Sequence, residues 1–400
     1  MPVDVLVLNT AVVDFRRDDF SFTDKLVGEG GLARCETQYM PDFSQEQLQQ
    51  WIEQGFAVPG GMGNAAPLIA AAGLKTAVAA NLGRGDYAGL DAQGSFFLKL
   101  MAASGIDTSA VVKHPSLPTG TTFIHSSKAG ERLGIVYFPN ANDDFDFEIF
   151  KTHVERLQPS VIYYMYSGLS RRGDANGGRN LAEFMRWCRT RGALVIADSH
   201  TLTGTPKSLI DSAIPVAGYE LLEPLLPELD IFFTSSDESK LIHNTLIVPE
   251  DGSESAYKDC PTFLDAVTEK YVAQGKRTRF WGVTVSDGAY EKHILPDGYT
   301  SAPTKITSRF MGGEVIDLVG AGDSFRAGLV AYVARNLAAF RSGAMDFSEA
   351  VQLGNLFASC YIKAPLGHRY CIRPYEEMMA CVRSDAIASE ARLKPPQCVL

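Results

Sequence analysis

The stretch Asp317-Leu318-Val319-Gly320-Ala321-Gly322-Asp323-Ser324-Phe325 decides how the rest of the chain is read. It sets a small-residue turn after the β-branched run Glu314-Val315-Ile316, read as a strand. Beyond the turn, Phe325, Leu329, Tyr332, Val333 and Leu337 recur at the three- and four-residue spacing of an amphipathic helix. Gly320, Ala321 and Gly322 carry almost no side chain. Their backbone N–H groups can approach a phosphate closely, and the following helix adds the positive end of its dipole. Asp323 stands beside that bound charge. A carboxylate there serves packing poorly, but it suits a general base taking a proton from a hydroxyl that attacks phosphorus. A strand-to-helix loop with a capping aspartate is the alternative these nine residues leave open.

Outward from the turn, apolar strand-like runs at 5–7, 76–80, 161–165, 194–197, 231–234 and 282–285 alternate with helical patterns such as 181–189. Repeated βα units imply a mainly parallel sheet covered by helices on both faces, with ligands beyond the carboxyl ends of its strands. Asp14, Asp198, Ser235 and Thr284 follow such runs, so residues distant in sequence can converge on one cleft. Two stretches do not fit this repeat. Residues 121–127 and 133–138 alternate around Lys128-Ala129-Gly130-Glu131 and read as a hairpin. Residues 16–58 hold a short helix over 45–54 and the glycines Gly28, Gly30 and Gly31.

Further motifs stand in a fixed order. Gly60-Gly61-Met62-Gly63-Asn64-Ala65-Ala66 leads an apolar stretch over 67–73; Gly89-Leu90-Asp91-Ala92-Gln93-Gly94 and Gly105-Ile106-Asp107 follow. Weaker echoes lie at 9–14, at Asn140-Ala141-Asn142, at Val283-Thr284-Val285-Ser286-Asp287-Gly288, and at Asn355 and Gly367. With the D-x-x-G-A-G-D-[ST]-F pattern at 317–325, this series resembles the ribokinase-like (PfkB) carbohydrate kinases from about Val3 to Pro374.

The resemblance implies a ribokinase-like three-layer α/β/α domain with a small β lid. Residues 1–15, 59–118 and 139–400 would form the main domain, and 16–58 with 119–138 the lid, which keeps water from competing for the transferred phosphoryl group. It implies ATP and Mg²⁺, with a monovalent cation such as K⁺ in some relatives. By the same resemblance Asp323 is the base, and the amides of Gly320, Ala321 and Gly322 stabilise charge on the transferring group. Asp14, Gly60, Gly61 and Asn64 hold a polyol; Thr284, Ser286, Gly288 and Asn355 line the nucleotide; Glu238 orients the Mg²⁺ hydration shell. Alternatives remain open at several positions. Asp14 also reads as a strand-end turn residue, Asn64 as a helix cap, the 284–288 segment as a plain strand and turn, and Asn355 as an ordinary helix residue. Asp317 either organises a cation loop or caps the turn.

The chain departs from the family pattern at specific places. Ser235-Ser236-Asp237-Glu238 keeps the glutamate of the usual N-x-x-E but not its asparagine. Leu318 replaces a small or β-branched residue. Arg326, three residues beyond Asp323, shares its helix face and either pairs with the base or meets an anionic substrate. Asp198-Ser199-His200 stands in place of a common D-x-N.

Composition limits the function classes. With 37 basic against 47 acidic residues, a net charge of −10 and no Lys/Arg-rich block, the 400-residue chain offers no nucleic-acid surface. No apolar run approaches membrane-spanning length, and the start of the chain lacks the basic region of a signal peptide. Seven scattered cysteines without C-x-x-C spacing read as reduced thiols in the cytoplasm. There is no G-x-x-x-x-G-K-[ST] and no metal-ligand histidine cluster. The leading expectation is an ATP-dependent kinase acting on a sugar or sugar acid. Next come a nucleoside kinase of the same fold and a non-catalytic sugar-sensing relative, and last a nicotinamide-dependent oxidoreductase, since no G-x-G-x-x-G follows the first strand. By analogy with relatives that pair through lid strands, a homodimer is expected.

Overall fold

The computed structural model describes residues 2–125, 134–248, 257–272 and 276–384. Its strands in chain order are β1 Val5–Asn9, β2 Ala11–Arg17, β3 Leu32–Arg34, β4 Ala57–Gly61, β5 Thr76–Ala79, β6 Asn81–Gly83, β7 Val112–His114, β8 Gly120–His125, β9 Ile135–Tyr137, β10 Val161–Ser167, β11 Leu194–Ser199, β12 Ile231–Ser235, β13 Arg279–Val285, β14 Gly288–Ile294 and β15 Thr304–Thr307. An eight-stranded sheet runs β15-β14-β13-β12-β11-β10-β1-β5. From β5 to β13 it is parallel, and β14 and β15 add an antiparallel edge.

Every residue of β1 and β10 is buried, as central parallel strands require when helices cover both faces. The period of two then sorts their side chains. Val5, Val7, Val161 and Tyr163 join one core with the helices Met62–Ala71, Ala321–Arg335 and Phe347–Ile362. Leu6, Leu8, Ile162 and Tyr164 join another with Phe147–Leu157, Arg179–Thr190, Ser236–Leu246 and Cys260–Tyr271. The result is the three-layer α/β/α fold that the resemblance implies.

A second sheet, ordered β3-β9-β8-β2-β4, stands at one edge. The chain enters it directly from β1. Asn9 adopts a left-handed conformation, φ 77°, and the side chains of Asn9 and Thr10 both donate to the Met165 carbonyl, at 3.2 and 3.0 Å. The sheet therefore takes in 11–17 and 57–61 as well as strands from the 16–58 and 119–138 segments. Its outer face is covered by an aromatic cluster of Phe15, Phe20, Phe22, Phe43, Trp51 and Phe123. Trp51 comes from the helix Gln45–Glu53, capped by Ser44, whose hydroxyl accepts from Gln47 N. The antiparallel pairing of β8 with β9 is that of the expected hairpin; its turn at 126–133 lies outside the described residues.

Asp91 in the G-x-D-x-x-G motif explains that motif locally. It caps the helix Ala92–Ala103 and also accepts from the Thr119 amide and hydroxyl at 2.7 and 2.6 Å, so it fixes the entry to β8.

Two expectations fail here. Residues 314–316 form no strand: the amides of Ile316 and Asp317 both donate to the Ile362 carbonyl at the end of a helix. With no strand alongside, Val315, Ile316 and Leu318 are about half exposed despite their β propensity. The cysteines are not all reduced thiols either. Cys371 is disulfide-bonded, whereas Cys35, Cys188 and Cys260 carry free thiols. Spacing along the chain does not reveal which sulfurs the fold brings together. Among the described residues no helix is long and apolar enough to cross a membrane.

Candidate active site

The carboxyl ends of β11, β12 and β13 open onto a cavity of about 220 Å³, closed on the far side by β2, β8 and β9 of the second sheet. The head of the Ala321–Arg335 helix projects into it. Gly320 caps that helix in the left-handed region, φ 91°, and a Cβ there would lie 2.8 Å from the Tyr361 ring, so both conformation and space demand glycine. The Ala321 amide closes the turn on the Leu318 carbonyl at 3.1 Å. The Gly320 and Gly322 amides make no hydrogen bond among the described residues, leaving two donors for an anion at a helix N-terminus.

Asp323 is 5% exposed, and both its oxygens are held. Asn64 Nδ2 donates to Oδ2 at 2.8 Å, and the Tyr166 hydroxyl donates to Oδ1. Arg326 Nη1 lies 3.9 Å from Oδ1, while its Nε lies 3.3 Å from Asp198 Oδ2. Burial pushes Asp198 up to about 6 despite Arg326. Burial opposes charge on Arg326, but Asp198, Glu238 and Asp323 outweigh it and hold the guanidinium protonated. Arg326 is thus a buried ion-pair partner lining the cavity wall.

From Asn64 a chain of polar contacts runs to β2. Tyr361 OH donates to Asn64 Oδ1 at 2.5 Å, and Arg369 reaches both Tyr361 OH, at 3.3 Å, and Asp317 Oδ2, at 2.6 Å. Arg16 joins Asp317 from β2, and its Nη2 lies 3.7 Å from Asp14 Oδ2. Asp14 accepts from Thr122 Oγ1 at 2.6 Å; burial raises its carboxyl, with Arg16 and Thr122 acting against it. Burial would raise Asp317 too, but Arg16 and Arg369 hold it below the usual carboxylate range. A carboxylate already shared by two guanidiniums does not suit a K⁺ site, and Asp317 Oδ1 is occupied by the Val319 amide at 2.8 Å.

Of the residues singled out in the sequence, Asp14, Gly61, Asn64, Glu238, Thr284, Gly320, Ala321, Gly322 and Asp323 line this one cavity. Gly60 stands behind Asp14, where a Cβ would meet the carboxylate at 2.4 Å. Ser286, Gly288 and Asn355 do not line it. Gly288 starts β14 at φ 147°, with the Ile306 carbonyl 2.2 Å from where a Cβ would be. Asn355 lies 3.4 Å from Gln352 Oε1, and Gln352 holds the Thr307 carbonyl. Sequence reasoning missed Tyr166, Tyr361, Arg16 and Arg369. Each is a common residue whose role depends on partners tens to hundreds of positions away.

Glu238 forms a capping box with Ser235, and its oxygens accept from Ser235 N, Thr234 Oγ1 and Thr201 Oγ1 at 2.9, 3.1 and 3.3 Å. Among the described residues no cluster of three metal-ligating side chains occurs. Glu238, the single carboxylate at the β12 end of the cavity, fits a magnesium ion carried mainly by nucleotide phosphates and water, not one caged by protein.

A three-layer α/β/α fold with a carboxylate beside a helix start that carries two open amides suits a phosphotransferase acting on a hydroxyl group. The profile of the pfkB family carbohydrate kinases matches residues 42–257 and 288–369, and the chain belongs to that family. Comparison with curated proteins gave no match. Among solved structures, adenosine kinase from Anopheles gambiae, in complex with P1,P4-di(adenosine-5) tetraphosphate, is similar at TM-score 0.66 and 16% identity, covering 94% of this chain and 99% of its own. Fructokinase with bound ATP from Xylella fastidiosa has TM-score 0.62 and 18% identity, covering 95% and 98%. A probable sugar kinase from Rhizobium etli CFN 42 has TM-score 0.62 and 17% identity, with the same coverage. At these identities the likeness is one of fold.

Proposed function

We propose that the protein transfers the γ-phosphoryl group of Mg-ATP to a hydroxyl of a small sugar or sugar acid. The observation that carries this reading is the position of Asp323, between the Gly320–Gly322 turn and the Asp14 and Asn64 side chains in one cavity. Asp14 and Asn64 offer acceptors and a donor to vicinal hydroxyls. Asp323 takes the proton of the attacking hydroxyl as its oxygen bonds to the γ-phosphorus. The bond from that phosphorus to the β-bridging oxygen breaks, and ADP leaves. The free amides of Gly320 and Gly322 stabilise the charge that develops. Magnesium, with water ordered by Glu238, would supply charge neutralisation at the phosphates. The second sheet acts as the lid that excludes water.

A nucleoside acceptor is the second reading. It is favoured by an apolar wall of Leu32, Ile135, Tyr137 and Leu169 facing the polar residues across the cavity. The test is ADP release from Mg-ATP over pentoses, hexoses, sugar acids and nucleosides, with Asp323→Asn as blank. Turnover on one class, lost in the variant, supports the mechanism and names the acceptor. Turnover that survives near the wild-type rate in Asp323→Asn overturns the assigned base.

A further inference from the structure

At the opposite end of the large sheet lies a second cavity, of about 290 Å³, whose polar wall is Arg189, Asp230, Lys276, Arg277, Thr278 and Arg341. Leu194 opens β11, Asp230 immediately precedes β12, and Thr278 immediately precedes β13, so the cavity sits at the amino ends of three parallel strands. The other ends of those strands meet the active site, about 15–20 Å away at 3.3 Å per residue.

The cavity is electrostatically uneven. Four cations face one carboxylate in a chain whose net charge is −10. Arg189 pairs with Glu228 at 2.8 Å and Arg277 with Asp230 at 3.0 Å. Asp230 is shared further with Arg279, 3.5 Å away, and accepts from Val195 N. Arg341 donates to the Gly192 carbonyl, and Lys276 makes no ion pair among the described residues. Two cations of the wall therefore make no ion pair among the described residues, Arg341 acting on Asp230 only through space. Independently, Thr278 Oγ1, on a side chain 2% exposed, and Arg189 Nε are buried with no hydrogen-bond partner among the described residues. A structural ion-pair network would account for the paired arginines but not for donors left unsatisfied on residues of the same cavity wall.

We infer that this cavity is a second anion site, which binds the tetrahedral oxyanion of inorganic phosphate or of a compact phosphate ester. Guanidinium forks with a hydroxyl and an ammonium are the donor set that phosphate oxygens use. The volume lies at the lower limit for small-molecule pockets, about 300 Å³ and upward, which suits a compact ligand. Arg341 belongs to the Leu337–Ser342 helix, separated only by Asn336 from the helix that begins at the active-site turn. An occupant here touches the continuation of the element that carries Asp323.

The test uses the full chain and reads binding, not turnover, so it stands apart from the kinase reading. Thermal shift and calorimetry are run with inorganic phosphate and with glycerol 3-phosphate, chloride holding the ionic strength constant. The proteins compared are wild type, Gly322→Asp, in which the active-site turn is blocked, and the double variant Lys276→Glu with Arg341→Glu. The expected result is a saturable shift in wild type and Gly322→Asp, with affinity at least tenfold weaker in the double variant. Preference for one probe separates free phosphate from an ester. The exposed single variant Lys276→Ala, which disturbs no packing, should weaken binding about threefold. A shift abolished by Gly322→Asp but kept by the charge-reversed protein, unchanged affinity in Lys276→Ala, or no shift beyond that of chloride overturns the inference.

Discussion

The hydroxyl of Tyr166 donates a hydrogen bond to Oδ1 of Asp323, and it does so from a backbone conformation that tyrosine rarely adopts. Tyr166 has φ 61°, at the point where the pairing of β10 with β11 shifts register between Tyr164 and Ser167. Holding a non-glycine residue there costs on the order of 1–3 kcal/mol. Asp198 helps to impose it, accepting from the Tyr166 amide at 2.7 Å while Tyr163 donates to its other oxygen at 2.7 Å. With Asn64 on Oδ2, the bulge gives the carboxylate one orientation, facing the anion turn.

Tyr166→Phe removes that donor while keeping the ring, which packs edge-on against His200 at 4.6 Å between centroids. A hydrogen bond to a charged group is worth about 1.5–3 kcal/mol, so kcat should fall about tenfold or more, with the KM for ATP little changed. A loss that falls on the KM for ATP, with kcat kept, would reduce Tyr166 to a packing residue.

Gly60→Ala probes the acceptor side alone. A Cβ at residue 60 would stand 2.4 Å from Asp14 Oδ1 and 2.7 Å from its Cγ, closer than such atoms approach in proteins. Asp14 must move, and the Thr122 bond with it. The KM for the phosphoryl acceptor should rise at least tenfold while that for ATP stays within about twofold, since displacement of a single binding group removes about 1.4 kcal/mol or more of acceptor affinity. Equal effects on both substrates would contradict the separation of the two subsites.

Arg16→Ala cuts the link between the second sheet and the turn, because Arg16 is the β2 cation shared by Asp14 and Asp317. Asp317 keeps Arg369, and its Oδ1 still accepts from Val319, so the turn itself should survive. Initial-rate kinetics should show both KM values raised by several-fold, with a smaller loss in kcat. Arg16→Lys should rescue only part of this, since an ammonium cannot span both carboxylates as a guanidinium does. Kinetics indistinguishable from wild type would mean that the bridge couples nothing.

Periodicity made the large sheet legible: each of the six apolar runs read from the sequence lies in it, because a strand buried on both faces must be apolar throughout. The turn at 320–322 was legible because only small residues tolerate its backbone and the crowding by Tyr361. The polar chain from Asp323 through Asn64, Tyr361, Arg369 and Asp317 to Arg16 was not. Its directly bonded partners are separated by up to 301 positions, and nothing in an arginine or tyrosine announces its partner. The segment 314–316 misled because β propensity describes a side chain's fit to a pleated surface, and here no neighbouring strand provides one.

Three aspartates, Asp174, Asp198 and Asp230, give the fold an unusual pH dependence. Burial pushes each from 3.8 up to about 6, against the pull of the Ser170 amide on Asp174, Arg326 on Asp198 and Arg277 on Asp230. The native state therefore retains protons that the unfolded chain releases between about pH 4 and pH 6, and stability falls as the pH rises through that window. Carboxylates held low, such as Asp317 and Glu228, act in the opposite sense only at lower pH. Asp230→Asn keeps an acceptor for the Val195 amide but cannot titrate. It should lower stability throughout, since Arg277 loses its partner, and it should flatten the slope. The change in unfolding free energy between pH 4.5 and pH 6, measured by urea denaturation, should be smaller than in wild type by about 1–2 kcal/mol. Parallel pH profiles in the two proteins would show that Asp230 is already ionised across the window and that its arginines outweigh its burial.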